Sequence, residues 1–561
     1  MSSFRINPGN DDFETQIEKG YLYIDKTEMI YEFLEESFMS PVLFTRPRRF
    51  GKTMVMTMFR DFLDIKQNSE NLFKGLNIMN HPETVKKHMN QYPVIFLSLK
   101  EIKGRNADEF LDDVKCLLAN LFEEFGELRS SDKISDSERD AYINVCNQTI
   151  NYANTKLALK LLATLLWKHY GKKPYVIVDE YDVPMANAYQ KEHYNDVVEL
   201  VQALLGNVGK TNKNVEALMM SGCLHTVKNS GYTGFNNIMA YTVTSYRYSN
   251  CFGFTEDETR LLLSKAGLGN RMDEIREWYN GYVFGKTHMY NPWDVVSYLA
   301  KQRDNMDERI LPGKYWIHSS ESREDLIHGF IGKTPDALEM FARLMMGETV
   351  EKRINESLPY HMLHVSGDNL WTGLLETGYL TIAGKNGEIV SLRIPNKEIM
   401  EVFREEVWDY FSTKVESVHM DELMNALWHG NQEGSVEALN KILEATLSYY
   451  GSHKEYVYQY TLAGFFLGQR YRVRTEYESG YGRSDIVVED AARKRALVLE
   501  LKQVEKEGQL KAGLAEACNQ AVANKYESSL AYDGFTDIHA YGISFWNKRC
   551  MIKVISKADC Q

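Results

Sequence analysis

FTRPRRFGKTM, residues 44–54, grows out of the apolar run PVLFT (Pro41–Thr45) and opens the helical pattern KTMVMTMFRDFLDI (Lys52–Ile65). A buried strand that turns through Gly51-Lys52-Thr53 into a helix is the layout of a phosphate-binding loop. Main-chain N–H groups and the positive end of the helix dipole then meet the phosphates. Lys52 is placed to contact the β- and γ-phosphates, and the Thr53 hydroxyl to ligate Mg²⁺. The first glycine of G-x-x-x-x-G-K-[ST] is missing, and Arg46 stands in its place.

A lone GKT is weak evidence, so a second stretch decides its weight. YVIVDEYD (Tyr175–Asp182) is an apolar strand ending in Asp179-Glu180. Such acids follow many strands as solvated loop residues. Beside a phosphate loop they have a use: Asp179 holds the Mg²⁺ hydration shell, and Glu180 orients or deprotonates the attacking water.

These motifs sit in a chain of ordinary globular composition. Its 561 residues are 44% apolar and 25% charged, long enough for roughly three or four domains. No run reaches the ~18 apolar residues of a membrane helix, and the first residues lack a secretory pattern. The seven cysteines are scattered without a C-x-x-C pair, which reads as reduced thiols in a cytoplasm. The formal net charge of −13 argues against a general nucleic-acid coat protein while leaving room for a local basic groove.

Continuous apolar strands alternate with helices in the first half, including YPVIFLSL (Tyr92–Leu99) and VEALMMSG (Val215–Gly222). This predicts a parallel sheet covered on both faces over 1–280. Residues 281–452 read as mostly helical, with one hairpin at GYLTIAGKNGEIVSLRIP. Residues 453–561 read as strands of a mixed sheet around one helix.

Within that last region, RALVLELKQ places Glu500 and Lys502 two residues apart. On a strand they share one face, while Leu497, Leu499 and Leu501 take the other. The apolar face is expected in a core, the polar face along a cleft. If AARK (Ala491–Lys494) turns symmetrically between GRSDIVVED and RALVLELKQ, residue 490 faces 495 and Asp485 faces Glu500. Opposed carboxylates roughly 5 Å apart repel each other, and Mg²⁺ or Mn²⁺ resolves that repulsion. Asp485 and Glu500 are therefore candidate metal ligands, with Lys502 orienting water or stabilising developing charge. The bland alternative is an edge hairpin with a wet charged face.

Taken together, FTRPRRFGKTM, YLYIDKT (Tyr21–Thr27), YVIVDEYD, GFNNIMAYTV, FGFTEDE (Phe252–Glu258), WYNGYVFG (Trp278–Gly285) and YNPWDVV (Tyr290–Val296) resemble one family. It is that of the bacterial AAA-ATPase-like proteins with a C-terminal PD-(D/E)XK nuclease domain. The resemblance covers nearly the whole chain and implies an AAA-type P-loop sheet domain, a helical middle and a restriction-endonuclease-like α/β domain. The family carries R-P-R-R-F-G-K-[ST], so Arg46 is a family trait. Arg46, Arg48 and Arg49 then supply phosphate charge complementarity, unless Arg46 obstructs the turn. By the same resemblance Ser221 is a γ-phosphate sensor and Glu478 a further metal ligand. Arg483 is a phosphate contact or a salt-bridge residue. Arg247 is either an arginine finger or a solvated arginine. Gln520 falls where some relatives place an active-site glutamine, but Tyr526 is six residues on, and a helix-surface role is the default.

The implied cofactors are ATP and Mg²⁺ or Mn²⁺. The implied partner is nucleic acid, DNA ahead of RNA, with no membrane and with a homo-oligomer as one arrangement that AAA-type sites use. The implied function is ATP-bound, metal-dependent phosphodiester cleavage. A switch or scaffold that binds nucleic acid or partners without cutting is the alternative, and a translocase has no motif beyond the two Walker-like stretches.

Overall fold

The computed structural model describes residues 5–36, 41–189, 191–209, 212–225, 237–305, 309–316, 337–358, 362–363, 366–414, 417–446, 454–479, 482–524 and 530–555. It divides into two compact units: residues 1–321 with 352–397, and residues 322–351 with 398–561. The stretch expected as a helical middle, 281–452, is thus shared between them. Among the described residues no helix is long and apolar enough to cross a membrane.

The first unit is built on strands β1 (Val42–Thr45), β2 (Val94–Ser98), β3 (Tyr175–Asp179), β4 (Ala217–Gly222) and β5 (Met239–Tyr241). Their order is β2-β3-β4-β1-β5, and every pairing is parallel. Every residue of β1, β3 and β4 is buried, as expected where helices cover both faces of a parallel sheet. Leu43, Val176, Val178, Leu218 and Met220 pack with the apolar stripes of helices Ala107–Glu123, Ala158–Tyr170 and Tyr194–Gly209. Helix Lys52–Leu63 packs against β3 and β4. Although β4 comes late in the chain, it lies between β1 and β3. Ser221 therefore emerges between the phosphate loop and Asp179, at the carboxyl edge where such sheets bind ligands.

Several quoted motifs join this unit by structural bonds. Lys26 of YLYIDKT donates to both carboxylate oxygens of Glu258 of FGFTEDE at 2.7 Å and to the Asn250 carbonyl. Short strands follow: β6 (Tyr282–Phe284), β7 (Thr287–Met289), β8 (Val350–Arg353), β9 (Thr381–Asn386) and β10 (Ile389–Arg393). The expected hairpin is β9 paired antiparallel with β10.

The second unit holds β11 (Arg472–Ser479), β12 (Gly482–Asp490), β13 (Arg495–Gln503), β14 (Asp537–Trp546) and β15 (Arg549–Ile555), ordered β11-β12-β13-β14-β15. Only β13 and β14 run parallel. Helix Leu510–Asn524 supplies the crossover that a parallel pair requires.

Candidate functional site

At the first site, β1 leads through residues 46–51 into helix Lys52–Leu63. Two residues of the loop take left-handed backbone, Arg49 at φ 68° and Gly51 at φ 81°. Glycine suits the second because a Cβ penalises that region. Arg46 is not among the left-handed residues, so an L-side chain costs nothing there, and the expectation that it obstructs the turn is overturned.

Nor does Arg46 serve phosphate. Its side chain is fully buried and donates to the carbonyls of Thr45 at 2.7 Å and of Tyr241 and Tyr248 at 2.9 Å. The guanidinium also lies 5.0 Å from the Phe252 ring centre and 5.1 Å from that of Phe284. Burial pulls its pKa down to about 10, so it stays charged at neutral pH. Arg46 is a core cation that ties β1 to β5 and the chain beyond it.

The remaining groups converge on the carboxyl edge. Asp179 is 1% exposed and accepts from Thr53 Oγ1 at 2.6 Å and from Ser221 Oγ. Thr53 and Asp179 thus meet where a nucleotide's Mg²⁺ would join them, and Ser221 orients the carboxylate. Lys52 folds back over the loop, donating to the Arg46 and Pro47 carbonyls at 3.0 Å, with Cys223 Sγ at 3.6 Å. Glu180 ends β3 in left-handed backbone at φ 52°. Burial raises its pKa, the Lys52 charge opposes that shift, and Asp179 adds to it. Arg49 lies 3.9 Å over the Trp293 ring. Burial lowers its pKa, and the nearby Glu180 charge opposes that shift. The charge of half-buried Arg48 acts on the Cys223 thiol. Arg247, the finger candidate, pairs with Glu36 at 2.5 Å and donates to the Glu32 carbonyl.

If Lys52 holds nucleotide phosphate, removing its ammonium deletes charged hydrogen bonds to it. Lys52→Ala should weaken ATP binding by about 10- to 100-fold by calorimetry. Unchanged affinity would sink the phosphate-loop reading.

The second site lies between β12 and β13. Their register runs from Asp490↔Arg495 to Ile486↔Leu499, as a symmetric turn requires, and Asp485 and Glu500 are the next residues on the two strands. Glu500 is 2% exposed and engages the Asp485 side chain. Asp485 Oδ2 also accepts the Leu501 main-chain N–H at 2.7 Å. Burial raises the Asp485 pKa, with the Glu455 charge adding to it. A buried carboxyl and a half-buried one in contact need a proton or a cation between them. That donor set fits Mg²⁺ or Mn²⁺, which bind through one or two carboxylates and keep water and phosphate as further ligands. No group of three His, Cys, Asp or Glu side chains is arranged to hold a metal among the described residues. Glu478 pairs with Arg483 in the β11–β12 register, but both side chains lie outside the described residues, as do Tyr526 and residues 234–236 of GFNNIMAYTV.

Lys502 shares a strand face with Glu500, its Nζ 3.1 Å from Glu516 and 3.8 Å from Glu455. That face is not a cleft along its length, contrary to expectation. Val498 and Ala496, on the same face, are buried with Cys518 and Ala521 of helix Leu510–Asn524. Only its end, at Glu500 and Lys502, carries polar groups. Gln520 is exposed on that helix, one turn beyond Glu516.

Three residues at this site escape sequence reasoning. Glu455 accepts the Gln503 main-chain N–H at 3.2 Å, and Gln459 donates to the Asp485 carbonyl at 2.8 Å. Both come from one face of helix Glu455–Gly468 and brace β12 and β13. Their one signal is a polar i, i+4 pair in an otherwise apolar helix. Glu516 has no signal, because its pairing with Lys502 depends on how its helix crosses the sheet.

With this geometry in hand, comparison with known proteins is informative. Residues 8–231 match the family model described as predicted AAA-ATPase, and residues 453–555 match that of the PD-(D/E)XK nuclease superfamily. The chain joins an AAA-ATPase-like domain to a PD-(D/E)XK nuclease superfamily domain. A similar curated protein is an uncharacterized protein from the vnfD 5' region of Azotobacter chroococcum, 26% identical over 283 residues. That match covers 50% of this chain and 49% of the relative, so the chain spans about half the length of the curated relative it matches. Among solved structures, a Walker-type ATPase of Pyrococcus abyssi is similar at 13% identity and a TM-score of 0.37, over 68% of this chain and 96% of that one. In the AAA-ATPase-like domain the matched span contains Lys52, Thr53, Asp179, Glu180 and Ser221; in the nuclease superfamily domain it contains Asp485, Glu500 and Lys502.

Proposed function

We propose that this chain is an ATP-binding, metal-dependent nuclease that cleaves phosphodiester bonds of nucleic acid, DNA ahead of RNA, with nucleotide gating the cut. The observation that carries the reading is the approach of Asp485 to Glu500, one residue beyond the paired register of β12 and β13, with Lys502 on the strand face of Glu500.

Asp485 and Glu500 would hold the cation. A divalent cation in such a site polarises the scissile phosphate and lowers the pKa of water. Lys502 orients the attacking water and offsets the negative charge that builds on the phosphoryl oxygens. Gln459 and Glu455 keep Asp485 and the Lys502 strand from drifting apart, since small misplacements cost large factors in rate. The bonds from Thr53 and Ser221 to Asp179 support the nucleotide half of the reading. There Glu180 would act as the base.

Labelled single- and double-stranded DNA and RNA, offered with Mg²⁺ or Mn²⁺ and with or without ATP, test the whole proposal. Cutting by wild type that depends on metal supports it. No cutting of any substrate under any of these conditions overturns it. For the nucleotide half, Glu180→Gln should retain ATP and slow its turnover by about 100-fold; turnover equal to wild type would remove Glu180 from the mechanism.

A further inference from the structure

YVIVDEYD closes on a third acid, Asp182, two residues past Glu180. Asp182 stands at the N-cap of helix Val183–Ala188, yet its side chain makes no bond to that helix. An aspartate in that position ordinarily accepts the N–H of the second or third helical residue. Here Oδ2 turns instead to the chain leaving β4, where it accepts the N–H of Cys223 at 2.8 Å and of Leu224 at 2.9 Å. Asp182 is 4% exposed, so both bonds are made out of water, and removing the acceptor would strand two buried donors.

The same short segment is held at three further points. The Tyr181 N–H donates to the Ser221 carbonyl at 3.0 Å, and the Tyr181 hydroxyl donates to the Leu224 carbonyl. From the other side, the Arg46 N–H donates to the Gly222 carbonyl at 3.2 Å, tying the start of the phosphate loop to this strand end. A Cβ on Gly222 would lie 2.6 Å from Tyr181 Cε1 and 2.7 Å from Asp182 Oδ1, so the grip closes only over a residue without a side chain. Ser221, at the head of the segment, donates its hydroxyl to Asp179, which also accepts the Thr53 hydroxyl. Asp182 thus bridges the ends of two parallel neighbours, β3 carrying Asp179 and β4 carrying Ser221.

We propose that Asp182 is a positioning residue of the nucleotide site. By locking the exit of β4 to the exit of β3, it sets the Ser221 hydroxyl on Asp179 and so aims the carboxylate that a nucleotide's Mg²⁺ would meet. The proposal rests on the nucleotide-binding half of the function above. It gives the last acid of YVIVDEYD a task distinct from those of Asp179 and Glu180, exerted through main-chain N–H groups.

The test uses the full-length chain and two readouts. Amide hydrogen exchange at Cys223 and Leu224, measured without nucleotide, reads the grip itself. Calorimetric ATP binding across a Mg²⁺ titration reads its consequence, because an effect that passes through Asp179 is an effect on the metal. Asp182→Ala should speed exchange at both amides about 10-fold, and raise about 10-fold the Mg²⁺ concentration that half-saturates ATP binding. Affinity at saturating Mg²⁺ should stay within about twofold of wild type. Asp182→Asn, whose carbonyl oxygen is an acceptor in the same place, should match wild type in both readouts. If the alanine variant does not fold, Asp182→Leu keeps the branching without an acceptor and takes its place. Unchanged exchange or an unchanged Mg²⁺ requirement in the acceptor-less variant overturns the proposal. So does a loss of affinity that saturating Mg²⁺ leaves in place, or an asparagine variant that behaves like alanine. A wild-type chain that binds no ATP at any Mg²⁺ concentration overturns the nucleotide reading itself, and faster exchange in the variant then leaves Asp182 as a structural clamp.

Discussion

Lys502→Ala is expected to slow metal-dependent cleavage by about 100- to 10,000-fold, while unfolding and ATP affinity should stay at wild-type values. The size of the loss follows from what the ammonium faces. Lys502 is the cation on the strand face that carries Glu500, at the polar end where a phosphate would gain charge. Stability escapes because the side chain is 26% exposed and its partners are more so, Glu455 at 41% and Glu516 at 56%. Ion pairs in that setting are worth little, about 0–1 kcal/mol. The desolvation that lowers the Lys502 pKa is outweighed by Glu516 and Glu455, so the ammonium persists across neutral pH. The check is a cleavage time course beside a thermal melt. Cooperative unfolding of the variant at wild-type growth temperature would make Lys502 structural and remove it from the chemistry.

Restoring the glycine that a phosphate loop usually carries should damage this protein. Arg46→Gly is expected to destabilise the first unit by on the order of 3–5 kcal/mol, enough to unfold it partly at 37 °C. Three carbonyls, those of buried Thr45 and Tyr248 and half-buried Tyr241, lose their donor together. The space between the Phe252 and Phe284 rings empties as well. Glycine brings no compensating freedom, since the backbone at 46 is not left-handed. Arg46→Lys should recover part of the loss, because one ammonium cannot reach three carbonyls in the planar fan that a guanidinium spans. Denaturant unfolding of the isolated transition measures both. An Arg46→Gly midpoint equal to wild type would refute the core role and return Arg46 to the phosphate site.

These two residues also mark where reading from the chain succeeds and where it stops. Asp485, Glu500 and Lys502 are legible because a strand repeats every two residues and a short turn sets register. Counting outward from Ala491–Lys494 therefore suffices to oppose the carboxylates. Lys52, Thr53 and Asp179 are legible for a similar reason, being tied to the ends of elements whose pattern is local. Arg46 is not: whether a loop side chain turns toward solvent or core depends on carbonyls about 200 positions further along, at Tyr241 and Tyr248. Glu455, Gln459 and Glu516 share that dependence, each acting across a packing contact between elements distant in sequence. The amino-acid sequence by itself determined the sheet strands, their alternation with helices and the two acid-and-lysine constellations, because periodicity and turn length are short-range. Tertiary structure alone decided which cation is a strut and which face is covered. Burial and hydrogen-bond partners arise only once distant segments close on one another.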